Sequence, residues 1–209
     1  MLVSCTPAFR SGLIALAALL AVGSAHASDQ QSLPVHEGVG GEFSAASSRG
    51  RVVNSSEFRG KVVLLFFGYT SCQDVCPATL AHLQALTRRL GQESNGVQVV
   101  LVTIDPEVDT ADVLREYLAR FDERFIGFTG TREETDRIAA LFMAKHNQSH
   151  GTRVTMEHNR SKAVTDRGYL YSHSQQIYLL DRAGRTRAFF FTGSPLGEMA
   201  EAVLALLQE

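Results

Sequence analysis

Along residues 42–209, continuous apolar runs alternate with apolar positions at helical spacing. Residues 61–67, apolar after Lys61, and residues 97–104 are predicted strands buried on both faces. Between them Leu80, Leu83, Leu86 and Leu90 recur every three or four residues, which predicts a helix stopped by Gly91. Asp105-Pro106 closes the second strand, because proline holds the residue before it extended. Thr110 is placed to cap a helix whose buried face is expected to be Val113, Leu114, Tyr117, Leu118 and Phe121. A short strand over 125–128 then precedes Thr131-Arg132-Glu133-Glu134, a capping-box sequence, and a helix burying Ile138, Leu141 and Phe142.

Hairpin signals flank this middle. Residues 42–46 and 51–54 surround the turn-rich Ser47-Ser48-Arg49-Gly50, and residues 176–180 and 187–191 surround Asp181-Arg182-Ala183-Gly184. Leu196, Met199, Val203 and Leu206 mark a final amphipathic helix. The expected fold class is α/β, a three-layer domain with a mixed central sheet in thioredoxin-like order, an N-terminal hairpin, and an inserted loop or hairpin before the penultimate strand. That insertion, residues 145–171, is polar and carries His146, His150 and His158. Loops of such length are functional, mobile or locally folded. Solvated histidines are the ordinary reading, although Met156-Glu157-His158 could assist a soft metal transiently.

The first 27 residues have a different pattern. Arg10 precedes an apolar run over 12–23, which ends at Ala25-His26-Ala27. This is the order of a secretory signal peptide, with cleavage expected after Ala27. The apolar run is short beside the roughly 20 residues that span a bilayer, so retention as an inner-membrane anchor is the second choice. The expected organisation is a signal peptide at 1–27, a flexible polar lead-in at 28–40, and one domain at 41–209. The expected location is the periplasm. With 44% hydrophobic and 20% charged residues the chain is ordinary for a globular protein. Its net charge of −2 lacks the basic footprint of a nucleic-acid binder.

Cysteine usage narrows the chemistry. Of three cysteines, Cys5 lies in the leader, which leaves Cys72 and Cys76 in Cys72-Gln73-Asp74-Val75-Cys76-Pro77 at a strand-to-helix junction. Three residues separate them, where the common redox motif has two. A bridge between them closes almost no chain, so it adds little stability, and chemistry is the better explanation. Pro77 is expected as the first helical residue with Cys76 at the cap. Turn or helix, the Cα atoms stay within disulfide range, about 4.4–6.8 Å. A helix start also favours thiolate. The loop is suited to hold a soft metal, exchange a disulfide, or do both. Asp74 between the cysteines either tunes the site or starts the helix.

His173, in Tyr171-Ser172-His173-Ser174, precedes the penultimate strand, whose start can approach the cysteine loop in this topology. A lone histidine is ordinarily structural or solvated. Two thiolates and an imidazole nevertheless form a soft ligand set that suits Cu(I), and Cu(II) with an added oxygen ligand. The stretch Phe67-Gly68-Tyr69-Thr70-Ser71-Cys72-Gln73-Asp74-Val75-Cys76-Pro77 resembles the copper-site motif of the Sco/SenC proteins. Thr103-Ile104-Asp105-Pro106-Glu107-Val108-Asp109-Thr110 is similar to their second signature, and Thr129-Gly130-Thr131 with Glu134 to a third. His173 falls where that family has its histidine ligand.

The resemblance implies a thioredoxin-like copper metallochaperone for the dinuclear copper centre of cytochrome c oxidase, with Cys72, Cys76 and His173 as copper ligands. The implied partners are a copper-receiving oxidase subunit and other periplasmic copper chaperones or thiol oxidoreductases, and a monomer is expected. The alternative is a thiol-disulfide reductase, with Cys72 and Cys76 as catalytic thiols keeping a partner's copper-site cysteines reduced. Copper binding and disulfide formation exclude each other, since the metal needs thiolates.

Overall fold

The computed structural model describes residue 1, residues 32–144, 146–150, 169–173 and 175–209, with the backbone alone for 146–150 and 169–173. The predicted leader, Cys5, Met156 and His158 lie outside the described residues. The chain divides into a leading unit, Met1–Gln30, and a body, Gln31–Glu209, which carries all the elements below. Among the described residues no helix is long and apolar enough to cross a membrane.

Among the described residues nine strands and four α-helices are seen: β1 (Ser44–Ser47), β2 (Val52–Asn54), β3 (Val62–Gly68), α1 (Val75–Leu90), β4 (Val97–Thr103), α2 (Ala111–Ala119), β5 (Ile126–Thr129), α3 (Arg132–Leu141), β6 (His146–His150), β7 (Tyr169–His173), β8 (Gln176–Leu180), β9 (Thr186–Phe191) and α4 (Leu196–Gln208). Seven strands form one sheet in the order β2-β1-β5-β4-β3-β8-β9. In it β3, β4 and β5 are parallel, while β8 runs antiparallel to β3 and β1 antiparallel to β5. The sheet is mixed, as expected.

The apolar run of β3 explains its central place. Val63, Leu65 and Phe67 enter one core with Phe43, Phe58, Phe128 and Phe142, and Val62, Leu64 and Phe66 enter the other. That second core is lined by Leu80, Leu83 and Leu86 of α1, Leu114 and Leu118 of α2, and Met199, Val203 and Leu206 of α4. Helices therefore cover one face, and α3 with the N-terminal segment covers the other. The caps read from sequence form: Thr110 accepts from the Val113 N–H, and Thr131 with Glu134 makes a full capping box. Gly91, at φ 56°, ends α1 in the left-handed region where glycine carries no steric cost.

The inserted segment begins and ends as a ribbon. β6 and β7 form a separate two-stranded antiparallel sheet. His173 thus belongs to β7, the second strand of this ribbon, and the penultimate strand starts three positions later at Gln176.

Candidate metal centre

The loop after β3 is shaped by backbone contacts. The Cys72 N–H donates to the Tyr69 carbonyl at 3.3 Å, and the Ile104 N–H donates to Gly68 at 3.0 Å, tying the loop to the end of β4. The helix starts earlier than the sequence suggested. Its cap position is Asp74, so Cys76 and Pro77 are the second and third helical residues. Proline fits there because the first-turn N–H groups have no intrahelical partner to lose. Asp74 is exposed and makes no side-chain cap bond. Instead, the Cys76 N–H donates to Cys72 Sγ at 3.4 Å. A sulfur caps the helix, and its position at the positive end of α1 favours charge on Cys72.

The two cysteines stand as thiols in unequal settings. Cys72 is half-buried and Cys76 is 1% exposed. Hydrogen bonding with the Cys72 side chain, then burial, then the charge of Cys72 push the Cys76 thiol far up, against a lowering contact from the Tyr69 backbone. A cation that replaces the proton would therefore favour the Cys76 thiolate. Gly68 makes the close packing possible: a Cβ there would lie 2.8 Å from Cys76 Sγ.

A buried carboxylate braces the loop. Asp109 is fully buried and accepts from the Thr70 N–H at 3.0 Å, the Thr70 hydroxyl at 2.5 Å and the Thr103 hydroxyl at 2.6 Å. Burial pushes its carboxyl up, and the hydroxyls of Thr103 and Thr70 oppose the shift. The Tyr117 hydroxyl is buried with no hydrogen-bond partner among the described residues. Burial first, then the negative potentials of Cys76, Cys72 and Asp109, push its phenol up. The sequence marks neither residue as part of the site: Asp109 lies within Thr103-Ile104-Asp105-Pro106-Glu107-Val108-Asp109-Thr110, and Tyr117 belongs to the expected buried face of its helix.

The structure thus brings Cys72 and Cys76 together. Among the described residues no group of three or more His, Cys, Asp or Glu side chains forms a metal-binding array. For His173 the backbone gives its placement. β8 runs antiparallel to β3 with Ile177 opposite Phe66, so Gln176 lies at the end of the sheet from which the cysteine loop departs. Three residues of chain span at most about 10–11 Å, which keeps His173 at that end. Of the other histidines named in the sequence, His146 and His150 sit on β6.

The SCO1/SenC family model matches residues 31–208, nearly the whole body of the chain. The chain belongs to the SCO1/SenC family. A SCO2-like protein of Rickettsia conorii is 31% identical over 163 residues, covering 78% of this chain and 74% of the relative. Copper-bound ScoI of Bradyrhizobium japonicum aligns with a TM-score of 0.68 and 28% identity, over 80% of this chain and 99% of that one. BsSco, described as a member of the Sco family of cytochrome c oxidase assembly proteins with a disulfide switch, aligns at a TM-score of 0.60 over 85% of this chain and 98% of that one. At 18% identity it speaks for the fold alone. The fold is thioredoxin-like, as expected, and Sco proteins of this fold hold copper.

Proposed function

We propose that this protein is an exported copper metallochaperone that takes copper through Cys72, Cys76 and His173 and passes it by ligand exchange to a cytochrome c oxidase subunit. The observation that carries the reading is the Cys72–Cys76 pair at the start of α1 in a member of the SCO1/SenC family. The donor set fits the cargo. Two sulfurs close together are soft ligands of the kind that select Cu(I), and His173 would add an imidazole, which also suits copper. Half-burial of Cys72 leaves an approach for a recipient's ligand, while the buried Cys76 stays behind as an anchor. The leader at 1–27 and its expected cleavage after Ala27 support a periplasmic location.

The unequal cysteines also favour a second reading, thiol-disulfide reduction. The Cys72 thiolate would attack a partner disulfide, forming a mixed disulfide and releasing one partner thiolate. The Cys76 sulfur, on losing its proton to solvent, would then displace the second partner thiolate and close a Cys72–Cys76 disulfide. Anaerobic copper titration separates the two. One copper per chain, lost in Cys72→Ser, Cys76→Ser and His173→Ala, supports the metallochaperone. Copper binding untouched by His173→Ala removes the three-ligand site and leaves the reductase.

A further inference from the structure

Tyr117 of α2 carries a buried hydroxyl with no hydrogen-bond partner among the described residues. Its ring packs against the core lined by α1 and α4 and stands edge-on to Phe121 at 5.7 Å. A phenyl ring would fill that place as well. The oxygen therefore adds nothing to the packing, and a buried hydroxyl left unpaired is a cost to the fold.

The hydroxyl lies toward the cysteine end of the helical layer. β3, β4 and β5 are parallel, so α1 and α2, which link them in turn, both start at the end where the cysteine loop departs. Gln84 of α1 donates its side-chain amide to the Phe121 carbonyl just past the end of α2, which puts those two positions level. One turn back on each helix, Leu80 is level with Tyr117. Cys76 is one turn further back on α1, about 6 Å nearer the helix start. Helix side chains lean toward the N-terminus, so the Tyr117 ring carries its hydroxyl back in that direction. Cys76 also faces the same layer. A Cβ on Gly68 would meet Cys76 Sγ at 2.8 Å together with Leu101 and Phe66, both members of the core that Tyr117 packs against.

We propose that Tyr117 is a positioning residue of the copper site, its hydroxyl donating a hydrogen bond to the Cys76 sulfur once copper holds that sulfur as a thiolate. The inference rests on the copper reading given above. Copper takes the place of the Cys76 proton, which leaves to solvent. A thiol is a weak acceptor, and in the metal-free chain the hydroxyl makes no bond to it. A thiolate carries negative charge and accepts far more strongly. Burial, then the negative potentials of Cys76, Cys72 and Asp109 in that order, push the phenol up, so it stays protonated and able to donate beside them. The bond draws charge from the Cys76 sulfur and fixes its direction. Cys76 is thereby held as the anchoring ligand, while the half-buried Cys72 is left to exchange.

The test is Tyr117→Phe, which removes the oxygen and keeps the ring. Cu(I) affinity of the reduced protein is measured anaerobically by competition with a chromophoric chelator. The thiolate-to-copper charge-transfer absorption of the loaded samples and the melting temperature of the metal-free ones are read alongside. Affinity is expected to fall about 10–100-fold, the range for losing a group that supports a metal ligand. The absorption should move to longer wavelength, because a sulfur relieved of its hydrogen bond gives up electron density more readily. The melting temperature should hold or rise, since the variant buries no unpaired hydroxyl. Unchanged affinity and absorption in Tyr117→Phe overturn the inference and leave the copper reading standing. Weaker binding with unmoved absorption and a lower melting temperature also overturns it, by making Tyr117 a packing residue. Wild-type protein that takes up no copper overturns the copper reading and this inference together.

Discussion

At the end of the sheet where β8 finishes, Asp181 and Arg187 are both nearly inaccessible, and their bonds close on one another. Asp181 accepts from the Ala183 and Arg185 N–H groups, from the Arg185 side chain and from Arg187 Nη1 at 3.0 Å. Arg187 also donates to Glu209 and to the Leu33 carbonyl, which anchors both termini of the body. At the other end, where β3 finishes, Cys72 and burial hold the proton on Cys76, and the buried Tyr117 hydroxyl lacks a hydrogen-bond partner among the described residues. One end spends its polar groups on holding the chain together. The other sets two sulfurs side by side, which is how a fold shared widely comes to have one chemical end.

The largest effect should come from damaging the closed end. Arg187→Ala leaves Asp181 buried without its cation and should cost about 3–5 kcal/mol in urea unfolding, with copper stoichiometry per folded chain unchanged. Asp181 gives the same end a pH signature. Burial pushes its carboxyl up, but the Arg185 N–H and the Arg185 and Arg187 side chains outweigh that and hold it below the usual range. Its contribution is therefore complete above the unfolded value, about 3.9, and is lost as pH falls below it. Asp181→Asn should flatten that acid limb in unfolding measured against pH.

Damage to the open end should cost less stability and more copper. Asp109→Ala removes the acceptor of Thr70 and Thr103 and should cost about 1–3 kcal/mol, with looser copper binding by titration. Gly68→Ala drives a Cβ to within 2.8 Å of Cys76 Sγ. Overpacking of that kind costs about 1–3 kcal/mol, and copper affinity should fall in parallel. Cys72→Ser is the mildest for the fold, less than about 1 kcal/mol, because its side chain is half-buried and a hydroxyl can still cap Cys76. It should abolish copper binding. A stability loss at this end as large as that of Arg187→Ala would erase the contrast between the two ends.

Periodicity made most of the fold legible. β3 and β4 are apolar on both faces, the helices show their stripes, and Thr110 and Thr131 cap where their sequences say. The start of α1 was misplaced by two residues, because a cysteine sulfur as helix cap has no sequence signature and proline is tolerated throughout the first turn. An inserted loop or hairpin before the penultimate strand was expected, but the bounds and register of the β6–β7 ribbon were hidden. His-Asn-Gln-Ser-His lacks the apolar alternation that marks a strand, so its register could only come from the structure. At the site, the cysteine pair was visible as spacing and His173 as a motif position. The role of Asp109 was not, since it reaches Thr70 across 39 residues of chain. Nor was Gly68, whose missing side chain matters only once Cys76 is packed against it.

The central claim is that the open end of the sheet receives copper through its two sulfurs. X-ray absorption at the copper edge of the reduced, copper-loaded wild-type protein reads the ligands directly. Two sulfur scatterers with at least one imidazole nitrogen are expected, and one sulfur fewer in Cys72→Ser if any copper is retained. A first shell made only of nitrogen and oxygen would contradict the account.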